Sequence, residues 1–191
     1  MTKTAPKNLF FELAVPTAHG EFTAGYSLHG LAEMSFPKTT PALRRPQSIP
    51  PEARQQISAW HRLTAKALKT ALTGRAPLEL PPLDIVTGTD FQRQVWRAMQ
   101  KIPWGQTASY GDLARAIGRP KAVRAVGGAC GANPIPVFIP CHRVLATGGG
   151  PGGFSSGMHW KRTLLAAEGV ELKAPKSKLQ APKKLQTSRL K

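Results

Sequence analysis

The sequence predicts an α+β chain: a small strand-and-helix N-terminal domain, then a mainly helical, winged-helix-like domain. Three observations predict it. Residues 21–36 (EFTAGYSLHGLAEMSF) alternate around a turn signal near His29-Gly30, as a hairpin does. Residues 52–73 carry a helical apolar stripe. Beyond residue 84, short helical patterns dominate, two of them joined by a tight Gly-Arg-Pro turn in the manner of a helix-turn-helix.

The elements follow in order. Pro37–Pro51 is proline-rich and basic and reads as a loop. In the helix after it, Ile57, Trp60, Thr64, Ala67, Leu68, Ala71 and Leu72 share a face, with Pro51 just before and Gly74 just after. Ala76–Leu83 (APLELPPL) holds three prolines and reads as a linker, so a boundary is expected near Asp84. Thr89 or Asp90 is placed to cap a helix with Phe91, Val95, Met99 and Ile102 on one face, stopped by Pro103-Trp104-Gly105. Ser109-x-x-Asp112 has the form of a capping box for a short helix ending at Gly118. Pro120 is expected to open the next helix, running to about Gly131. Pro134–Ile139 reads as a short extended run, Gly148–Gly153 as a flexible loop, and His159–Glu168 as the last helix, with Leu164 and Leu165 inward. The expected organisation is therefore 1–84, 85–170 and a disordered basic tail, 171–191, which lacks aromatics and apolar period.

Charge narrows the function. Lysine plus arginine number 27 against 10 acidic residues, a net charge of +17 in 191 residues. Such an excess predicts a polyanionic partner, with nucleic acid ahead of a membrane surface. Residues 85–170 alone hold 10 basic and 3 acidic side chains. No run of 18 apolar residues occurs and Met1–Pro16 lacks a signal-peptide pattern, so the expected compartment is the cytoplasm, or the nucleus of a eukaryotic cell. Two cysteines, Cys130 and Cys141, exclude a disulfide scaffold and a four-cysteine zinc site. His19, His29, His61 and His159 lack ligand spacing, so no metal is expected. Gly148–Gly153 is not followed by Lys-Ser/Thr and so is no phosphate loop.

The chemistry centres on Ile139-Pro140-Cys141-His142-Arg143-Val144. A cysteine nucleophile acts as thiolate, and a neighbouring imidazole or cation favours that form. His142 is adjacent, and Arg143 adds to the local positive field. Adjacent side chains diverge, so a bridging water is the expected route between thiol and imidazole.

Five blocks occur in order: Ser109-Tyr110-Gly111-Asp112-Leu113-Ala114, Arg124-Ala125-Val126-Gly127-Gly128-Ala129, Asn133-Pro134-Ile135-Pro136, Pro140-Cys141-His142-Arg143-Val144, and Leu164-Leu165-Ala166-Ala167-Glu168-Gly169. Together, over roughly residues 88–170, they resemble the O6-alkylguanine-DNA alkyltransferases (methylated-DNA–protein-cysteine methyltransferases). The resemblance implies that Cys141 accepts the alkyl group of O6-alkylguanine, once per molecule and irreversibly, with O4-alkylthymine a second candidate substrate. It implies that His142 takes the thiol proton through a water, Glu168 orients His142, and Tyr110 donates toward guanine N3. Asn133 would pin the turn before the active-site segment. The target nucleotide must leave the duplex, which costs a few kcal/mol. Arg124 would fill the space it vacates, on a helix lying in the minor groove of double-stranded DNA, with Ser109 and Gly127 also at the DNA. Pro136, Ser155 and the backbone carbonyls of Cys141 and Val144 would line or bond the flipped base. Cys130 is expected to be a small core residue. No cofactor, no membrane and no obligatory protein partner are implied, and cooperative loading on DNA is a candidate mode of binding.

The chain departs from the family at Phe154, where members often carry Tyr, and at Ser156, where glycine is usual; both bear on which adducts fit. Three other readings are weighed. A lesion sensor of the same fold would lack the acceptor cysteine, which is present. A basic winged-helix regulator would bind a defined operator. A multi-turnover cysteine hydrolase would use the same thiol repeatedly.

Overall fold

The computed structural model describes residues 11–37 and 51–172. Most of the expected proline-rich loop, and the expected tail from residue 173, lie outside the described residues.

Strands β1 (Phe11–Thr17), β2 (Gly20–Ser27) and β3 (Gly30–Ser35) form an antiparallel meander in that order. The expected hairpin is β2–β3, and β1 is an addition. It pairs Leu13 with Ala24 and Val15 with Phe22, so the alternation buries Val15, Phe22, Ala24 and Tyr26. Helix α1 (Pro51–Leu72) covers the sheet with the stripe read from the sequence, burying Ile57, Thr64, Ala67, Leu68 and Ala71.

The segment read as a linker is tied to this sheet. Leu31 N donates to Pro82 O at 2.8 Å and Asp84 N to Leu31 O at 2.8 Å, so 82–84 runs alongside β3. Ser27 Oγ donates to the Asp84 carboxylate at 2.5 Å. Prolines lack only the donor, and the ladder here uses Pro82 as an acceptor.

Helix α2 (Asp90–Gln100) starts at Thr89 with a reciprocal capping box to Gln92, and α3 (Tyr110–Ala116) at Ser109 with one to Asp112. Helix α4 (Val123–Gly131) begins three residues later than expected. Residues 119–122 form a separate turn first, closed by Ala122 N on Arg119 O at 2.9 Å. Helix α5 (Met158–Ala167) closes the described chain. A short parallel pair joins β4 (Ala108–Ser109) to β5 (Val144–Leu145) and sets the start of α3 beside the cysteine segment.

One hydrophobic cluster runs from Val15 in β1 to Leu164 in α5. Trp96 of α2 is buried and donates to Ala129 O of α4 at 2.9 Å, locking the helix pair to its neighbour. Gly74, at φ +79°, lets the end of α1 meet α5: a Cβ there would lie 1.9 Å from Ala167 O. No helix among the described residues is long and apolar enough to cross a membrane.

Candidate active site

The segment before Cys141 is a turn rather than the expected extended run. Pro136 bridges to Ile139, Ile139 N donates to Ile135 O at 2.9 Å, and Val137 sits at φ 77°. A β-branched residue resists that left-handed conformation, so the turn must be held from outside. Asn133 holds it. Its buried amide donates to Ile139 O at 2.7 Å and accepts from Ile135 N at 3.1 Å. Ile139 O also accepts from Cys141 N at 2.8 Å, so the same carbonyl ties the clamp to the cysteine.

Cys141 opens a single 3-10 turn, Cys141–Arg143, and is 8% exposed. It lines a cavity of about 300 Å³ with Tyr110, Gly127, Cys130, Gly131, Gly153, Phe154 and Ser155. His142 is fully buried, and its Nε2 lies 2.8 Å from Glu168 Oε1. A carboxylate only accepts, so Nε2 carries the proton and a neutral ring keeps Nδ1 as an acceptor. Nδ1 is buried with no hydrogen-bond partner among the described residues. Burial pulls the His142 pKa down against the upward pull of Glu168, and the net shift is downward. The imidazole is therefore neutral near pH 7, the state a base needs. For Glu168, burial pushes the carboxyl up, but bonds from His142 and Arg143 and their charges prevail and the net shift is downward. It remains a carboxylate.

Tyr110 sits across the cavity. Burial, then the neighbouring Cys130, raise its pKa, against a hydrogen bond with the Gly153 backbone, so the phenol keeps its proton. The Gly152–Gly153 backbone approaches the hydroxyl closely: a Cβ on Gly152, at φ +65°, would lie 2.8 Å from Tyr110 Oη.

The fold thus brings Cys141, His142 and Glu168 into one cluster and puts Tyr110, Gly127 and Ser155 around the same cavity. Asn133 stands behind it. Pro136 and Val144 are buried but are not among the residues that line it. The Val144 carbonyl already accepts from Lys161 Nζ at 2.6 Å. Arg124 lies exposed in the first turn of α4, and Ser109 caps α3 with its hydroxyl bonded to Asp112.

Three residues have more part in the site than their sequence reading assigns. Cys130, read as core, is buried yet also lines the cavity. Burial and the proximity of Cys141 push its thiol up to about 12, against Lys161, so it stays neutral. Arg143, read as a source of positive field, grips Glu168 through Nε at 2.9 Å and Nη2 at 3.0 Å. Lys161 is wholly buried, and burial lowers its ammonium to about 8 although Cys141 and Cys130 draw it up. A signal for Lys161 was present: it is three and four residues before Leu164 and Leu165, on the inward face of α5. Among the described residues, no three His, Cys, Asp or Glu side chains cluster as metal ligands would.

Comparison with known proteins places the same part of the chain in a family. Residues 90–170 match the family model of the 6-O-methylguanine DNA methyltransferase DNA-binding domain. A methylated-DNA–protein-cysteine methyltransferase of Mycolicibacterium paratuberculosis is 52% identical over 93 residues, 47% of this chain and 56% of that protein. The match therefore spans little more than half the length of that curated relative. The crystal structure of Mycobacterium tuberculosis OGT in complex with DNA superimposes with a TM-score of 0.65 at 34% identity, covering 83% of this chain and 92% of that one. The O6-methylguanine-DNA methyltransferase of Pyrococcus kodakaraensis superimposes with a TM-score of 0.54 at 25% identity, over 83% and 98%. With a solved relative at that identity over nearly its full length, and the matched blocks converging on one buried cysteine, the chain belongs to the 6-O-methylguanine DNA methyltransferase family.

Proposed function

We propose that this protein repairs double-stranded DNA by moving the alkyl group of O6-alkylguanine, methyl above all, onto its own Cys141. The observation that carries the reading is the buried pair His142–Glu168 beside a cysteine that lines a cavity, with an imidazole nitrogen left to accept a proton.

The steps follow from the residues. His142 Nδ1 takes the Cys141 proton through a bridging water, and Glu168 stabilises the imidazolium that forms. The buried Lys161 ammonium adds positive charge beside the thiolate. The sulfur attacks the alkyl carbon, an S–C bond forms, and the C–O6 bond breaks with its electron pair passing to the guanine. Tyr110, kept protonated, donates toward N3 and makes the base a better leaving group. The thioether is stable, so each molecule acts once.

DNA engages through the helix pair. Arg124 at the start of α4 occupies the space left by the flipped nucleotide in the minor groove, with Ser109 and Gly127 near the backbone. Gly127, Ser155 and the wall at Phe154 receive the base. Residues 85–170 carry this chemistry, and the N-terminal sheet and α1 form a supporting domain. Such a protein works in the cytoplasm, or in the nucleus of a eukaryotic cell.

Incubation with duplex DNA containing O6-methylguanine, followed by intact mass, tests the reading. It predicts one added methyl per wild-type molecule and none for Cys141→Ala. No gain in mass would refute it; tighter binding of the methylated duplex without transfer would point to a lesion sensor instead.

A further inference from the structure

The Glu168 carboxylate is held by far more than its histidine. Oε1 accepts from His142 at 2.8 Å and Arg143 Nη2 at 3.0 Å; Oε2 accepts from Arg143 Nε at 2.9 Å and Gly105 N at 3.2 Å. The third guanidinium nitrogen, Nη1, donates to Ile102 O at 2.9 Å. The guanidinium carbon lies 4.5 Å from the centre of the Trp104 ring. Trp104 Nε1 in turn donates to Gly74 O, just past the end of α1, at 3.0 Å. A chain of contacts therefore runs from α1 through Trp104 and Arg143 to Glu168, and from there to His142.

We infer that Arg143, backed by Trp104, is a positioning residue for the reaction at Cys141: it clamps Glu168 in the plane that orients His142. The inference rests on the proposed alkyl transfer only for its substrate. Neither residue is among those that line the cavity, so neither meets the departing base there.

Two parallel N–H groups on a planar fork fix the rotation of a carboxylate, which a single ammonium does not. The side chains of Arg143 and Glu168 are 7% and 2% exposed, so water is a poor substitute. The indole face and the Ile102 carbonyl fix the fork itself. Fixing the carboxylate fixes the imidazole plane, and with it the direction in which Nδ1 accepts.

The charged and titratable groups around this pair are few. Glu168 faces His142 and Arg143; His142 faces Glu168, Arg143 and Lys161. Losing the Arg143 charge raises the pKa of both Glu168 and His142, since each is held down by it. Both changes have one sign. Below the raised values Glu168 is neutral and His142 is already protonated, so the acid limb of the rate profile moves toward neutral pH.

The test is the single-turnover rate of methyl transfer from an O6-methylguanine duplex between pH 5 and 9, with protein in excess. In parallel, iodoacetamide alkylation of Cys141, followed by peptide mass, reads thiol activation without DNA. Arg143→Met should slow both by on the order of 100-fold at pH 7, the usual worth of a positioned base, and move the acid limb toward neutral pH. Arg143→Lys should fall in between. Trp104→Leu should slow both by roughly 5-fold, while Trp104→Phe, which keeps a ring under the guanidinium, should stay within about 2-fold of wild type. DNA affinity should not change.

A purely structural role gives another pattern: fewer active molecules, each with the wild-type rate and pH midpoint. That result for Arg143→Met overturns the inference. If Arg143→Met does not fold, equal losses in Trp104→Leu and Trp104→Phe overturn it, and rescue by Phe supports it. If the wild type transfers no methyl yet the iodoacetamide profiles shift as described, the clamp stands and the DNA substrate falls. Unshifted iodoacetamide profiles overturn the clamp whatever the DNA result.

Discussion

Asn133→Ala removes one side chain and disturbs two backbone groups of unequal exposure to loss. Ile135 N–H has Asn133 Oδ1 as its acceptor at 3.1 Å and is left buried without one. Such a group costs about 1–3 kcal/mol. Ile139 O loses the 2.7 Å bond from Asn133 Nδ2 but keeps the one from Cys141 N. That is the loss of one ordinary bond, about 0.5–1.5 kcal/mol. The expected destabilisation is therefore about 2–4 kcal/mol, or roughly 5–15 °C in Tm for a chain of this size. Because the turn carries Val137 in the left-handed region, it should relax once the clamp is gone and take Cys141 with it. Urea unfolding at 25 °C measures the first effect, and the iodoacetamide rate at Cys141 under folded conditions the second. A change below about 1 kcal/mol together with unaltered Cys141 reactivity would refute the reasoning. Asn133→Asp should be worse than Ala near pH 7, since a carboxylate oxygen replaces the donor facing Ile139 O.

Other outcomes follow from the same geometry. Lys161 titrates near 8 when folded and near 10.5 when unfolded, so the unfolded state binds more protons in that window and this group's contribution makes stability rise with pH from 8 to 10.5. Denaturant curves of wild type minus Lys161→Met should show that rise, at most about 3 kcal/mol, and a flat difference would remove the buried ammonium from the account. Gly152→Ala should slow transfer by about 10-fold, because the new methyl displaces Tyr110 Oη, while DNA binding in an anisotropy titration stays within about 2-fold. Arg124→Ala should weaken duplex binding but leave the slope of log affinity against log salt nearly unchanged, because Arg124 fills the vacated space rather than pairing with a phosphate; a slope lowered by about one would place it on the DNA backbone instead.

How much of this was legible varies with the kind of signal. Local chemistry was clear. The helix start at Thr89 or Asp90, the Ser109 capping box, the α1 stripe and the α5 helix depend on contacts between near neighbours in sequence, and they stand where the patterns place them. Strand β1 was missed because Phe11–Thr17 contains Pro16, and its pairing with β2 is a contact made only on folding. The docking of the Ala76–Leu83 linker on the sheet and the turn within Pro134–Ile139 were hidden for a related reason. Proline content says what a segment cannot donate and β-branched content what it prefers, but neither says which side chain will close on it. Asp84 on Ser27 and Asn133 on Ile139 decide those segments.

The sequence by itself determined the α+β class, the helix-turn-helix and the basic character, because each is written in composition or in short-range spacing, while Cys141 and His142 were singled out by the resemblance of the matched blocks. Tertiary structure alone decided what surrounds them. Glu168 is 26 residues from His142, Lys161 17 from Val144 and Trp104 30 from Gly74. Desolvation acts on groups by where they end up, not by where they stand in the chain. A buried Lys161, a neutral Cys130 and a fourfold-bonded Glu168 exist only once the core has closed over them.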